Sequence, residues 1–276
     1  MARGRAWLRV GGLTVVLPTL VTGCAAGTPR SVAESAPTAH PTDLVHLDFE
    51  DRAAPVGEIV PSVANRGTAD LDSEVVTYAG GRITRVEGRD SGYAIRFPEH
   101  VGAIDAPAAM LLLRSREDPD PLSPGSRDFS FGADVLLDAE SSGTDSDNGD
   151  NVIQRGLYDD DAQYKLQLDG GVPSCRLFGT QGAGLVKADE PVAAGEWYRL
   201  TCDRNGDVVS LLVEPLDDPD AVPLSTQATV SVGAIEVVDS TPLVVGGKVD
   251  REGRVVTSST DQFNGAIDNV SFKLLD

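Results

Sequence analysis

The amino-acid sequence predicts an all-β fold, an antiparallel β-sandwich, on three observations. Apolar residues along the body recur with a period of two rather than 3.6. About eleven such runs are separated by clusters of Gly, Pro, Asp and Asn. No strand-helix-strand alternation of the kind that builds a parallel sheet is present. The 276 residues are enough for one large β domain with a sizeable core.

The runs follow in order. Residues 44–49 open the body and residues 93–97 form a second strand. The stretch 106–113 is continuous in small and apolar residues, and is expected to make at most a short helical turn. Phe129, Phe131, Ala133, Val135 and Leu137 alternate with Ser130, Gly132 and Asp134. Residues 151–157 form a further strand. Tyr164, Leu166 and Leu168 alternate with Gln163, Lys165 and Gln167, as on a strand with one buried face. Tyr198, Leu200 and Cys202 share a face, and Asn205-Gly206 then predicts a tight hairpin into 208–213. Runs at 228–238, 243–245 and 263–274 close the body. Acidic stretches at 117–120, 145–150 and 217–220 are expected as solvated turns. No internal repeat or boundary divides 43–276.

The formal charge of -20 excludes a phosphate-backbone partner, which needs clustered Lys and Arg, so no nucleic acid is expected. Arg3, Arg5 and Arg9 precede an apolar stretch over 10–21 that is interrupted by Pro18. It is too short to cross a bilayer of ~30 Å and has the dimensions of a signal-peptide core. It ends in Leu20-Val21-Thr22-Gly23-Cys24, which resembles the lipobox of bacterial lipoproteins. The resemblance implies removal of residues 1–23, a lipid on Cys24, and an extracytoplasmic protein anchored to the cell membrane through that lipid alone. A conventional cleaved signal with an incidental cysteine is the alternative. Residues 24–42, rich in Ala, Pro, Ser and Thr, are expected as a flexible tether below a single domain over 43–276. With Cys24 committed, Cys175 and Cys202 are an even pair in an oxidising setting, and a disulfide is expected. A metal pair would want a nearby His or further Cys, and a redox pair would want Cys-x-x-Cys; neither is present.

Four segments carry a resemblance to a family. Residues 261–272, Asp-Gln-Phe-Asn-Gly-Ala-Ile-Asp-Asn-Val-Ser-Phe, are similar to the closing strand of laminin-G-like domains. Gly195-Glu196-Trp197-Tyr198-Arg199-Leu200 resembles the tryptophan strand of that family. Leu47-Asp48-Phe49-Glu50 resembles its first strand, and 92–97 the strand after its first long loop. The resemblance spans the body and implies a concanavalin A-like jelly roll of two curved sheets. It also implies one structural Ca2+ near the sheet edge, held by Asp48, Glu50 and Asp268 with carbonyls around Asn65. Asp268 enters because it shares the parity of Ala266, Val270, Phe272 and Leu274, which aims it inward, where a carboxylate needs a partner. Backbone N–H donors would serve Asp268 equally well. The run at 145–150 is a second metal candidate, but it lacks a terminal Glu at loop spacing.

No chemistry of bond cleavage is announced. Glu-x-Asp runs of the retaining glucanases, His-Glu-x-x-His and Gly-x-Ser-x-Gly are all absent. The expectation is a non-catalytic binding or adhesion module at the bacterial envelope, recognising a glycan or an envelope protein. Asn151, Gln154, Arg155 and Tyr158 are the polar cluster that could touch a ligand. The rivals are a glycan-active hydrolase or lyase on the same fold, and a structural envelope protein with no small ligand.

Overall fold

The computed structural model describes residues 43–275 apart from 51–54, 104, 145, 146 and 239. The leader 1–23, Cys24 and the tether 24–42 lie outside the described residues. Period-two alternation becomes strand over most of the body, because only a pleated chain puts alternate side chains on one face. Fifteen strands result among the described residues. The first five are β1 (Asp43–Leu47), β2 (Leu71–Tyr78), β3 (Thr84–Glu87), β4 (Tyr93–Arg96) and β5 (Ala108–Ser115). Next come β6 (Asp128–Leu137), β7 (Asp150–Arg155), β8 (Gln163–Asp169), β9 (Val172–Gly179) and β10 (Gly182–Lys187). The last are β11 (Trp197–Asn205), β12 (Val208–Pro215), β13 (Leu224–Thr229), β14 (Leu243–Val245) and β15 (Gly265–Leu275). One short 3-10 turn, Arg89–Ser91, precedes β4.

The strands form two sheets. The first runs β13-β12-β11-β6-β15-β4-β3, with β1 paired to the far end of β15; the second runs β10-β9-β8-β7-β14-β5-β2. Every strand pairing is antiparallel. Their facing surfaces make one core, as an antiparallel sandwich requires. At its centre Phe129, Phe131, Tyr164 and Phe272 meet with ring centroids 5.2 to 5.8 Å apart. The Tyr164 hydroxyl donates to the Leu122 carbonyl at 3.0 Å, which satisfies its one polar atom. Cys175 on β9 and Cys202 on β11 are joined as a disulfide, with Cα atoms 5.8 Å apart, so the bond ties one sheet to the other through the core.

Several sequence expectations are corrected. The stretch 106–113 is strand β5, not a helical turn. Its inner residues Leu111 and Leu113 enter the core. Its outer residues Ala108, Met110 and Leu112 are buried beneath Val249 of the connection 246–262, which lies over the sheet as a strap. A strand covered on both sides shows no alternation to read. Residues 230–238 form no strand beyond one bridge at Ile235. The hairpin expected at Asn205-Gly206 turns one residue later: Asn205 pairs with Val208, and Gly206 takes the positive φ of 60° at the first central position.

The fourth correction concerns Asp268. Ile267 pairs with Val135 and Phe272 with Phe131, both inward, so β15 changes inward parity between them at a bulge. Asn269 takes the strain at φ 48°. Asp268 therefore stands opposite Asp134 on the outer face of the first sheet, not in the core. Trp197 lies on that same outer face, buried with Ala94 and Ala266.

Candidate functional site

The outer face of the second sheet carries the densest polar construction. Registers place Gln154 of β7 opposite Lys165 of β8, Lys165 opposite Arg176 of β9, and Arg176 opposite Leu185 of β10. These side chains make one row across four strands, because directly paired residues share a face. Gln163 and Phe178 form the next pair along. Two buried glutamines turn their amide nitrogens to the Gly156 carbonyl, from Gln154 at 2.8 Å and from Gln163 at 3.0 Å. Asn151 donates to Gln154 Oε1 at 2.6 Å, and Arg176 donates to Gln163 Oε1.

Both ends of the row are defined. At one, the Arg176 guanidinium carbon sits 4.6 Å from the ring centre of Tyr158, which is 74% exposed, and 5.3 Å from that of Phe178. At the other, the strap brings Asp261 over the sheet. Lys248 Nζ lies 2.9 Å and Lys165 Nζ 3.9 Å from Asp261 Oδ2, and the Ser259 hydroxyl donates to Asp261 Oδ1 at 2.7 Å. Burial lowers the Lys165 pKa to about 8 against the pull of Asp261, and burial also lowers that of Arg176. The amides are buried and spent on one another, so they form a rigid floor; the two partly desolvated cations and the exposed ring above it can bind hydroxyl-bearing or anionic molecules.

Of the polar cluster expected from sequence, Asn151 and Gln154 come together on this face and Tyr158 stands at its open end. Arg155 does not join them. It pairs in register with Tyr164, whose side chain is in the core, so it points inward. There it forms an ion pair with Asp120 and donates from Nε to the Thr241 carbonyl at 3.0 Å. Asp120, expected in a solvated turn, is buried for the same reason. Gln163, Lys165, Arg176 and Asp261 were not singled out by sequence reasoning. The polar parity of 163, 165 and 167 marked an outer face but not what stood beside it.

Asp48, Glu50 and Asp268 are close enough to interact. Burial, with the charges of Asp134, Glu50 and Asp48, pushes Asp268 up to about 8. Its oxygens receive the backbone N–H of Asn269 at 2.7 Å and that residue's side-chain amide at 3.3 Å. Glu50 Oε1 accepts the Tyr93 N–H at 2.8 Å, and Asp48 Oδ1 the Glu50 N–H at 3.2 Å. Asp134 is held by both forks of Arg199 at 2.7 and 2.8 Å. Asn65 spends its side chain on loop geometry, donating to the Leu44 and Ala69 carbonyls and accepting from His46 and Gly67. None of the side-chain oxygens of Asp48, Glu50 and Asp268 is among the buried atoms left unpartnered.

Residues 151–274 match the family model of the laminin G domain. No curated protein sequence matches the chain. Domain 4 of AbnA, a GH43 extracellular arabinanase from Geobacillus stearothermophilus solved in complex with arabinotriose, is similar at a TM-score of 0.56 and 14% identity, over 85% of this chain and 94% of that one. The binding domain of Paraclostridial Mosquitocidal Protein 1 is similar at 0.51 and 14%, over 85% of this chain and 50% of that one. The binding domain of Botulinum neurotoxin DC, solved with rat synaptotagmin II, is similar at 0.53 and 9%, over 85% and 49%. The chain thus spans about half the length of the toxin binding domains it matches. At these identities the likeness is one of fold.

Proposed function

We propose that this chain, whose body is a laminin G-like sandwich, is a non-catalytic binding module displayed at the bacterial cell envelope, and that the outer face of its second sheet takes a glycan. One observation carries the reading: the row Gln154–Lys165–Arg176 with its exposed end at Tyr158. Sugars offer an apolar C–H face to an aromatic ring and hydroxyls to charged side chains, and Tyr158 with Arg176 and Lys165 supplies both kinds of contact, held in place by the buried amides beneath. The arabinanase domain of the same architecture, solved with arabinotriose, supports a glycan; the neurotoxin domain solved with synaptotagmin supports a protein as the rival ligand. The carboxylate that touches the row, Asp261, is held by Lys248 and Ser259, which does not suit a free acid or nucleophile.

The test is a glycan array probed with the full chain, followed by calorimetry on any hit. Tyr158→Ala and Arg176→Ala should each weaken binding by about tenfold or more, since each removes a central contact of the site, with the circular dichroism spectrum unchanged. Uniform negatives across neutral and acidic polysaccharides, or variants that bind as the parent does, overturn the glycan reading. The envelope location is part of the same proposal and rests on the lipobox at Cys24. Cys24→Ser should move the protein from the membrane fraction to the soluble one; retention in the membrane fraction overturns lipid anchoring.

A further inference from the structure

We propose that Asp147, Asp150 and Asn264 form a binding site for a divalent, oxygen-seeking cation of the Ca2+ type, at the rim between β6, β7 and the start of β15. Asp147 and Asp150 belong to the acidic run expected as a solvated turn. Instead they are 2% and 0% exposed. Three oxygens here, Asp147 Oδ1, Asp150 Oδ2 and Asn264 Oδ1, are buried with no donor in hydrogen-bond geometry, although the Gln262 N–H acts on Asp147 and the Ser141 hydroxyl on Asp150. Buried acceptors are nearly always paired in native proteins, so three unmet oxygens on neighbouring side chains point to a further partner.

The neighbouring atoms show what kind of partner is missing. The Asn264 N–H already donates to Asp150 Oδ1 at 3.1 Å, and Asn264 Nδ2 donates to the Pro98 carbonyl at 2.8 Å. A carbonyl only accepts, so this contact fixes the amide with its nitrogen toward Pro98 and leaves Oδ1 as the orphan. His100 Nδ1 lies 3.1 Å from Asp147 Oδ2, on the oxygen that is not orphaned. Cations nearby are committed elsewhere: Arg96 holds Asp138 at 2.8 Å and Lys248 holds Asp261 at 2.9 Å. Among the described residues no Lys or Arg pairs with Asp150. Burial pushes its carboxyl up to about 7, with the charges of Asp147 and Asp138 adding to the rise.

The open donors are all oxygen, two from carboxylates and one from an amide, which suits a hard cation and not zinc or copper. Among the described residues no three His, Cys, Asp or Glu side chains gather as a ready-made cage. Water and carbonyl oxygens would therefore complete the shell, as they commonly do for Ca2+. A cleft of about 560 Å³, lined by His100, Asp138 and Ser141 among others, opens beside the site and gives an ion a route from solvent. A bound ion would join the run into β7 at 147–150, the 98–100 segment and the entrance to β15 into one rigid rim.

The test is calorimetric titration of Ca2+, then Mg2+, into the chelator-stripped full chain, repeated on three variants. The parent should bind one Ca2+ more tightly than Mg2+. Asp150→Asn and Asp147→Asn should each weaken Ca2+ binding by more than about tenfold, because affinity follows the number of charged ligands, while Asp268→Asn leaves it in place. Thermal melts with and without chelator give a second readout: the parent should lose melting temperature on stripping, and Asp150→Asn should not. Absence of Ca2+ binding in the folded parent overturns the proposal. So does binding lost only in Asp268→Asn, which would put the ion at the other carboxylate cluster. Should Asp150→Asn fail to fold, Asp147→Asn and the parent's melt decide.

Discussion

Asp268 is ringed by Asp134, Glu50 and Asp48 on the outer face of the first sheet, and its carboxyl is raised to about 8 from 3.8. Between those values the folded protein holds a proton that the unfolded chain gives up. Stability from this group is therefore fully present in acid and is lost as the pH climbs from about 4 to about 8. Asp268→Asn keeps an oxygen for the Asn269 N–H but carries no charge. It should gain stability over the parent by on the order of 2 kcal/mol at about pH 9 and by little at about pH 5, as read by urea unfolding. An equal effect at both values would show that charge is not the cause. That Asp268 was an unusual carboxylate could be read from the sequence. Its face could not, because strand parity assumes an unbroken pleat and the bulge at Asn269 breaks it. Arg155 misled for a related reason: a charged residue reads as exposed until its partner, here Asp120 some thirty-five positions earlier, is known.

At the scale of elements, strands with a polar outer face announced themselves and strands apolar on both faces did not. β6, β8 and β11 alternate in polarity and all three were legible, although the outer face of β6 is itself buried. β5 is buried on both sides because the strap over 246–262 covers Met110 and Leu112, a tertiary fact absent from any local pattern. The β8–β9 hairpin is absent from the sequence expectations, although Gly170-Gly171, both at positive φ, carries a turn signal as clear as that before β12. The strap makes its own prediction. Val249 is 5% exposed and packs on the outer side of β5, whereas Val222 is 78% exposed. Val249→Asp should lower the unfolding free energy by about 2–4 kcal/mol, since it buries an unpaired charge. Val222→Asp should change it by less than about 0.5 kcal/mol in the same denaturant titration, as an exposed site does. Equal losses would mean that the strap does not seal the sheet.

Across the whole molecule the two-layer architecture was readable, since period-two patterning leaves few other ways to bury one face of each strand. Which strand neighbours which was not, because β6 lies between β11 and β15, far from both in the chain. The candidate glycan face inherits that difficulty, since Gln154, Lys165 and Arg176 become one row only through register. The charge of -20 adds a contrast, for this face concentrates Lys165, Arg176 and Lys248 on an otherwise acidic body. The Cys175–Cys202 bond has a further consequence under proteolysis. The twenty-seven-residue separation it spans includes the β9–β10 turn and the exposed connection before β11. A protease that nicks either place severs one peptide bond but frees no fragment, since both new ends remain on a single covalent body whose halves are already interleaved.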